Sequence, residues 1–381
     1  MVDFNKVLEL HQHHTGVLDI KADIAITSKD DLAQAYTPGV AELARRIEAD
    51  ASAKNKFTMS GKLVALITDG SAVLGLGNIG PAGGLPIVEG KALIYKNFSG
   101  VDGLPIAIEQ VPVDEMVATI KNIAKSFAGI HLEDIAAPRC FELEEKLKAS
   151  LAIPVYHDDQ TGTAIVVLAA LINAAKVVNK PLKDLKVLVH GVGASGLATA
   201  KLLYHYGIQQ ISLMDRYGKV ETTSPDYNPY QKTLAAKVTQ SKGQTLDEVI
   251  EGQDVFIGLS DKEVLSQQQV AKMAKDSIVF ALANPIPEIL PQLAHAGGAK
   301  VVATGSSQYP NQVNNVLAFP GLFKGVLATQ LKDISLELQV AVAQALSALT
   351  SKPTPEKIIT DVFDERVVSV VVKAVKAFVN H

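Results

Sequence analysis

Two pairs of adjacent carboxylates, Glu133-Asp134 and Asp158-Asp159, each close a short apolar run, and one charged segment separates the runs. The runs, Gly129 to Leu132 and Ile153 to Tyr156, read as strands; Phe141 to Ala149, with Phe141, Leu143 and Leu147 among charges, reads as the helix between them. Ligands in open α/β sheets sit at the carboxyl ends of strands, so this pattern would gather four acidic side chains in one crevice. Like charges that close repel unless a cation lies between them, which points to a divalent ion of the magnesium or manganese type. Two solvated acidic turns would use the same residues, and spacing alone does not separate the readings.

Other candidates are single residues. Tyr36 precedes Thr-Pro-Gly, where Pro38 and Gly39 interrupt two helical patterns, so its side chain is presented at a break or is simply a turn residue. Lys91 sits among apolar Leu93, Ile94 and Phe98, as an anion contact, a base if desolvated, or a plain surface lysine. Asn284, Asn314 and Asn315 fall in loops after strands, able to hold a carboxylate or amide without adding charge, or to act as caps. His11, His13 and His14 suggest a metal tract but are equally a solvated helix end.

The strongest local pattern lies further on. KVLVH runs into Gly191-Val192-Gly193-Ala194-Ser195-Gly196, a helix follows, and the next strand ends at Asp215, nineteen residues after Gly196. A glycine triplet alone is weak. With strand, helix and acid in place it predicts a dinucleotide whose pyrophosphate lies on the helix N-terminus and whose ribose meets Asp215. A carboxylate there disfavours a 2'-phosphate, so NAD is expected over NADP; Arg216 next to it moderates the preference.

The elements that must position these groups follow from periodicity. Phe4 to His14 reads as a helix. Leu63 to Thr68 reads as a buried strand entering a loop with Gly70, Gly75, Gly77, Gly80, Gly83 and Gly84, and Ile87 to Phe98 as a helix with Lys91 near its N-terminal end. Leu104 to Ile108 is a strand, and Asp114 to Gly129 a helix capped by those two residues, with Met116, Ile120, Ile123 and Phe127 as its core face. After the acids come a long apolar helix from Thr163 to Val178, three more strands (254–259, 277–283 and 299–304), and two amphipathic helices from Asp333 onward. The fold class is α/β: a smaller N-terminal α/β domain over 1–160, then a Rossmann-type doubly wound parallel sheet over 161–381 with C-terminal helices packing back.

Composition narrows the classes. With 381 residues, 48% hydrophobic, the chain can bury a sizeable core. A net charge of −4 gives no electrostatic reason to expect nucleic acid or an anionic membrane. The single cysteine, Cys140, rules out an intrachain disulfide and suits a reducing interior. The opening MVDFNKVLELHQHHTGV is too polar for a secretory signal, and no charge-free apolar run reaches the roughly 18 residues of a membrane helix. A soluble cytoplasmic protein is expected.

Taken together, AYTPGV, TDGS-VLGLGNIGP, EGKALIYK, LEDI-APRC, IPVYHDDQ-GTA, the glycine fingerprint and NNVLAFPG resemble the malic enzyme family, specifically its short bacterial branch, over nearly the whole chain. The resemblance implies oxidative decarboxylation of (S)-malate to pyruvate and CO₂, with oxaloacetate as the bound intermediate, in a cleft between the two domains of a homodimer. It assigns Glu133, Asp134 and Asp159 as ligands of Mg²⁺ or Mn²⁺ and Lys91 as the general base. Tyr36 becomes the acid that protonates C3, and Asp158 supports Lys91 or Tyr36. Asn284 and Asn315 are placed at the substrate carboxylate and nicotinamide side, with Lys91 also touching substrate. Three departures stand against the family pattern: Thr161 where a histidine is expected, SDKEVLS after Leu259, and His190 before the fingerprint. Two of these border the cofactor, which leaves a soluble metal-dependent oxaloacetate decarboxylase, and a non-enzymatic nucleotide-binding regulator, as competing expectations.

Overall fold

The computed structural model describes residues 3–73 and 75–380; Leu74, within the glycine-rich segment, lies outside the described residues. Two sheets carry the chain. The first has four parallel strands, β1 (Leu63–Thr68), β2 (Asp102–Ala107), β3 (Gly129–Glu133) and β4 (Val155–His157), in the order β2-β1-β3-β4. Pro105 sits in β2, an edge strand, where a missing N–H costs no ladder bond on the open side. β3 and β4 are neighbours, so both acidic pairs leave the same end of the sheet, as the sequence pattern requires.

The second sheet contains β5 (Val187–His190), β6 (Ile211–Asp215), β7 (Gly218–Lys219), β8 (Val255–Gly258), β9 (Ser277–Ala281) and β10 (Ala299–Thr304), in the order β10-β9-β8-β5-β6-β7, with only β7 antiparallel. This is the doubly wound order, and the chain reverses direction across the sheet between β5 and β8. The crevice of such a sheet opens there, beside the fingerprint that follows β5.

Eleven helices matter here: α1 (Phe4–His14), α2 (Lys29–Ala35), α3 (Gly39–Ala49), α4 (Gly80–Ile94), α5 (Val113–Ile123), α6 (Arg139–Ser150), α7 (Thr163–Val177), α8 (Ala194–Tyr206), α9 (Phe319–Thr329), α10 (Leu336–Ala348) and α11 (Arg366–Val379). From β4 the chain enters one wide turn, Asp158–Gly162, and continues into α7 without a break. The run Asp158–Val177 is, by length and composition, long and apolar enough to cross a membrane, though Asp158, Asp159 and Lys176 leave no charge-free stretch of 18 residues in it. Most of it is buried among α8, α10 and the wide turn, so its all-round apolarity is that of a core helix. The C-terminal helices pack back as expected: Phe319 and Phe323 of α9 reach Tyr95 beyond α4, joining both sheets in one continuous core.

Two helices depart from the sequence reading. α4 begins at Gly80, not Ile87, which moves Lys91 from the N-terminal end to the last turn. Of the glycines taken for loop, Gly80, Gly83 and Gly84 are helical, and α4 presses on β1: a Cβ on Gly84 would lie 3.1 Å from Thr68 Oγ1. α5 starts after Pro112 with no side-chain cap and ends at Ile123, so neither Asp114 nor Gly129 caps it. Gly129 instead opens β3, where a Cβ would meet the Phe323 ring at 2.8 Å.

Candidate active site

Between the carboxyl ends of the two sheets lies a cleft of about 1090 Å³. Lys91, Glu133, Asp134 and Asp159 line one wall; Gly193, Ala194 and Ser195 line the other, with Asn284 and Asn315 between them. The lips meet where Gly75, at a φ of +76°, sits close enough to the Asn284 carbonyl that a Cβ would be 3.2 Å away.

On the acidic wall, carboxylate oxygens of Glu133, Asp134 and Asp159 lie within 4.8 Å of one another. Asp134 takes a left-handed φ of +55° after β3, turning its carboxylate into the cleft, and Asp159 Oδ2 accepts its backbone N–H at 3.0 Å. Asp134 Oδ2 is buried without a hydrogen-bond partner. An orphaned carboxylate oxygen among two other carboxylates is a donor set that suits a hard divalent cation. Asp158 has an oxygen within 4.8 Å of ligand atoms of Glu133 and His131, but its own hydrogen bonds go elsewhere. It accepts from Tyr156 and from Lys91 Nζ, completely buried. Lys91 Nζ also lies 3.4 Å from Glu133 Oε1, 3.5 Å from Asn315 Oδ1 and 4.7 Å from the centre of the Phe319 ring. Burial pulls its pKa down, but Asp158 and Glu133 outweigh burial and hold the ammonium above the ordinary lysine value. Without a cation, then, the carboxylates keep Lys91 charged rather than basic.

Behind the acids stands a layer that the sequence reading passed over as strand core. His131, fully buried, makes Nε2···Glu133 Oε2 and Nδ1···Tyr95 hydroxyl contacts of 2.7 and 2.9 Å. Burial pulls the imidazole down to about 4, so it is neutral with a single N–H. Facing a carboxylate, that proton belongs on Nε2, which leaves Nδ1 to accept from Tyr95. His131 and Glu133 share a face of β3 because strand side chains alternate, and that two-residue spacing was the available signal. Arg139 pairs with buried Asp69 and donates to the Val111 carbonyl, fixing the start of α6 behind the same wall.

The raised carboxylates have a consequence for stability. Burial, with mutual repulsion, lifts Glu133 to about 7, Asp134 to about 8 and Asp159 to about 6. Groups raised on folding stabilise the protein fully below their unfolded values near 4 and lose that contribution as pH climbs through the folded values. Asp158 is lowered by Lys91 despite its burial, and its contribution is constant above about pH 4. The neutral state of His131 likewise stops mattering above its ordinary value of 6.5. In EDTA, Tm should therefore fall between about pH 6.5 and 8.5. Saturating Mn²⁺, worth about 2.7 kcal/mol at a hundredfold excess over Kd, should raise it more at the upper end. Thermal melts at both pH values check this; a Mn²⁺ shift that shrinks with rising pH would contradict it.

On the nucleotide wall, Gly191 has a φ of +97°, and a Cβ there would lie 2.3 Å from the Leu259 carbonyl. At Gly196 a Cβ would be 1.7 Å from the Gly191 carbonyl, so α8 can approach β5 only with glycine there. Gly193 has open space around its Cβ position, on the cleft side where a pyrophosphate would rest. Asp215 ends β6, its Oδ1 accepting from Tyr217 N–H at 2.8 Å and the Tyr227 hydroxyl at 3.2 Å. Arg216 stacks on Tyr217, 4.8 Å from the ring centre. The two cofactor-side departures meet in space: His190 Nδ1 lies 2.8 Å from Ser260 Oγ, and Ser260, Asp261 and Lys262 of the altered loop line the cleft. Thr161 is buried in the wide turn. Asn314 caps the turn at 315–317, which is the ordinary reading of that residue.

Tyr36 is not among the residues lining this cleft. Tyr36 is 64% exposed at the break between α2 and α3, and no described residue before Ala72 lines the cleft. No residue from 3 to 59 is buried, and Leu18 alone among the apolar side chains of that segment packs, half-buried, against the core.

Comparison with known proteins agrees with this geometry. Residues 160–377 match the family described as "Malic enzyme, NAD binding domain", and residues 18–112 and 110–148 match "Malic enzyme, N-terminal domain". The chain is 46% identical to a bifunctional malic/malolactic enzyme of Bacillus subtilis, covering 97% of this chain and 91% of that protein. It is 45% identical to an NAD-dependent malic enzyme of Geobacillus stearothermophilus, covering 95% and 76%. The crystal structure of an NAD-dependent malic enzyme from Thermotoga maritima superposes with a TM-score of 0.94 at 40% identity, covering 99% of each chain. With an acid cluster and a dinucleotide cradle facing each other across one cleft, and both halves matched in sequence, the chain belongs to the malic enzyme family.

Proposed function

We propose that this cleft oxidatively decarboxylates (S)-malate to pyruvate and CO₂, with NAD as oxidant and Mg²⁺ or Mn²⁺ held by Glu133, Asp134 and Asp159. The observation that carries it is Lys91 Nζ, set between Glu133 and Asp158 on the wall facing the nucleotide cradle. A divalent cation held by these three carboxylates would supply Lewis acidity toward the substrate's oxygens. NAD held against Gly191, Gly193 and Gly196 would supply the hydride acceptor for C2. Lys91 Nζ takes the hydroxyl proton as the neutral amine, a state that a divalent cation beside Glu133 would favour by opposing the carboxylates that otherwise keep it charged, with Asp158 holding the amine in place and balancing the charge it gains. Asn315, within reach of Lys91, and Asn284, at the lip, orient a substrate carboxylate and the nicotinamide side without adding charge. The C3–C4 bond of the resulting 2-oxo acid breaks, CO₂ leaves, and Tyr36 returns a proton to C3. On this reading the division at 160/161 separates the metal and proton-transfer residues from the nucleotide residues.

Two assays run side by side test the reaction: NADH formation from malate with Mn²⁺, and oxaloacetate loss without nucleotide. Consumption of oxaloacetate with no malate oxidation would leave only the decarboxylase, and inactivity with both would leave a binding protein.

NAD is the preferred cofactor on the strength of Asp215, which stands where a 2'-phosphate would be repelled while Arg216 is engaged with Tyr217. Asp215→Ser should lower the NAD-over-NADP ratio of kcat/KM by roughly 10- to 100-fold, one to two steps of about 1.4 kcal/mol. An unchanged ratio would remove Asp215 from the cofactor site.

A further inference from the structure

A buried carboxylate that the proposed reaction does not use lies beneath the nucleotide side of the cleft. Glu288, in the loop after β9, is fully buried and does not itself line the cleft. Two backbone N–H groups hold its side chain: Oε1 accepts from Ser260 at 3.1 Å, and Oε2 accepts from Ala283 at 3.0 Å. Ser260 follows β8, Ala283 follows β9, and both line the cleft. One side chain thus ties together two loops of the site.

The fold makes room for this carboxylate. A Cβ on Gly258, the last residue of β8, would lie 2.4 Å from Glu288 Cδ, so a side chain there would push the carboxylate off its donors. Burial raises the Glu288 pKa, and the N–H groups of Ala283 and Ser260 oppose that rise, as a carboxylate held away from water requires. Backbone bonds join the same segments, Glu263 N–H to the Pro287 carbonyl at 3.1 Å and Leu265 N–H to the Glu288 carbonyl at 3.0 Å. On its other side Ser260 Oγ meets His190 Nδ1, at the end of the strand that enters the glycine fingerprint. The ends of β5, β8 and β9 are therefore linked through Ser260 and Glu288.

Topology decides which half of the nucleotide these loops face. Asp215, the ribose partner, ends β6, on one side of β5. β8 and β9 lie on the other side. A dinucleotide whose pyrophosphate crosses at the end of β5 therefore extends its nicotinamide half over the loops that Glu288 holds.

We propose that Glu288 is a positioning residue for the nicotinamide half of NAD. By fixing Ser260 and Ala283, and with them the loop carrying Asn284, it shapes the pocket that presents the nicotinamide to the substrate. The inference rests on the proposed function, in which NAD occupies this cleft, and adds the group that sets the reactive end of the cofactor. Without the carboxylate two cleft loops lose their common anchor, while Asp215, the fingerprint glycines and the acids of the facing wall keep their own contacts. The loss should fall on one end of the cofactor.

Glu288→Gln tests this with two nucleotides. Glutamine keeps the size but turns one acceptor into an NH₂ group, which cannot accept from a backbone N–H. Calorimetry compares NADH with ADP-ribose, which lacks the nicotinamide. NADH should bind roughly 10- to 100-fold more weakly, the span expected when a hydrogen bond to a charged group is lost, and ADP-ribose should weaken less than about twofold. Glu288→Asp, which keeps both acceptors on a shorter stem, should recover part of the NADH loss, and it carries the same comparison should the glutamine variant not fold. Equal losses for both nucleotides, or failure of both variants to fold, would mark Glu288 as a support of the whole domain and overturn the inference. NADH bound with native affinity would overturn it as well. Native protein that bound neither nucleotide would remove NAD from the cleft, and the proposed function with it, a result separate from any seen with the variants.

Discussion

Asp159→Ala should abolish both malate oxidation and oxaloacetate decarboxylation, by at least about a thousandfold, because Lewis-acid stabilisation worth several kcal/mol is lost at tenfold per 1.4 kcal/mol. The geometry makes Asp159 the most costly member of the proposed ligand set. Its carboxylate stands within 4.8 Å of Glu133 and Asp134, and Oδ2 also accepts the backbone N–H of Asp134. One substitution thus deletes a ligand and frees the strained turn that aims a second. Mn²⁺ binding measured by calorimetry should disappear together with activity, while NAD binding, on the opposite wall, should change less than about twofold, since separated sites act nearly independently. Asp159→Asn keeps an acceptor for the backbone N–H without the charge; it should fold like the native chain and still fail to bind Mn²⁺. Substantial Mn²⁺-dependent turnover in the alanine variant would refute the ligand assignment.

Lys91→Met should produce a different pattern. Malate oxidation is expected to fall roughly 10²- to 10⁴-fold for loss of a positioned base, but Mn²⁺ should bind at least as tightly as in the native protein. The reason is electrostatic: Lys91 is a cation 3.4 Å from Glu133, and removing it leaves the acidic wall more negative. Decarboxylation of added oxaloacetate, which has no hydroxyl proton to remove, should suffer less than malate oxidation. The variant should also be less stable, by about 3–5 kcal/mol, the usual result of leaving a buried charge without its partner. That charge is Asp158, completely buried and left with Tyr156 alone. Calorimetry, the two assays and a melt separate these effects. Malate turnover within tenfold of native would exclude Lys91 as the base, and loss of Mn²⁺ binding would mean that Lys91 organises the ligands.

Much of this site could be read from the chain because its residues sit at positions that backbone geometry makes predictable. Acids at the ends of two strands flanking one helix must emerge on one side of a parallel sheet, and β3 and β4 put them there. The fingerprint was similarly legible, since strand, glycines, helix and acid are all local. The misreadings arose where packing overrode a local signal. Glycines in 80–84 look like loop until β1 presses against them, and His131 looks like strand core until its two nitrogens are found between Tyr95 and Glu133. The pairing of His190 with Ser260 joins residues seventy positions apart, and no periodicity reports that.

The sequence by itself determined the α/β class, the order of the strands that carry acids and glycines, and the chemistry available at their ends, because those depend on alternation, turn geometry and residue type within short windows. Tertiary structure alone decided which acids face one another, that Asp158 is hydrogen-bonded to Lys91 and Tyr156, and that no residue of the N-terminal segment 3–59 bearing Tyr36 is buried. These are long-range outcomes. They depend on how two sheets and a shared apolar helix pack, where side chains hundreds of residues apart compete for the same few ångströms.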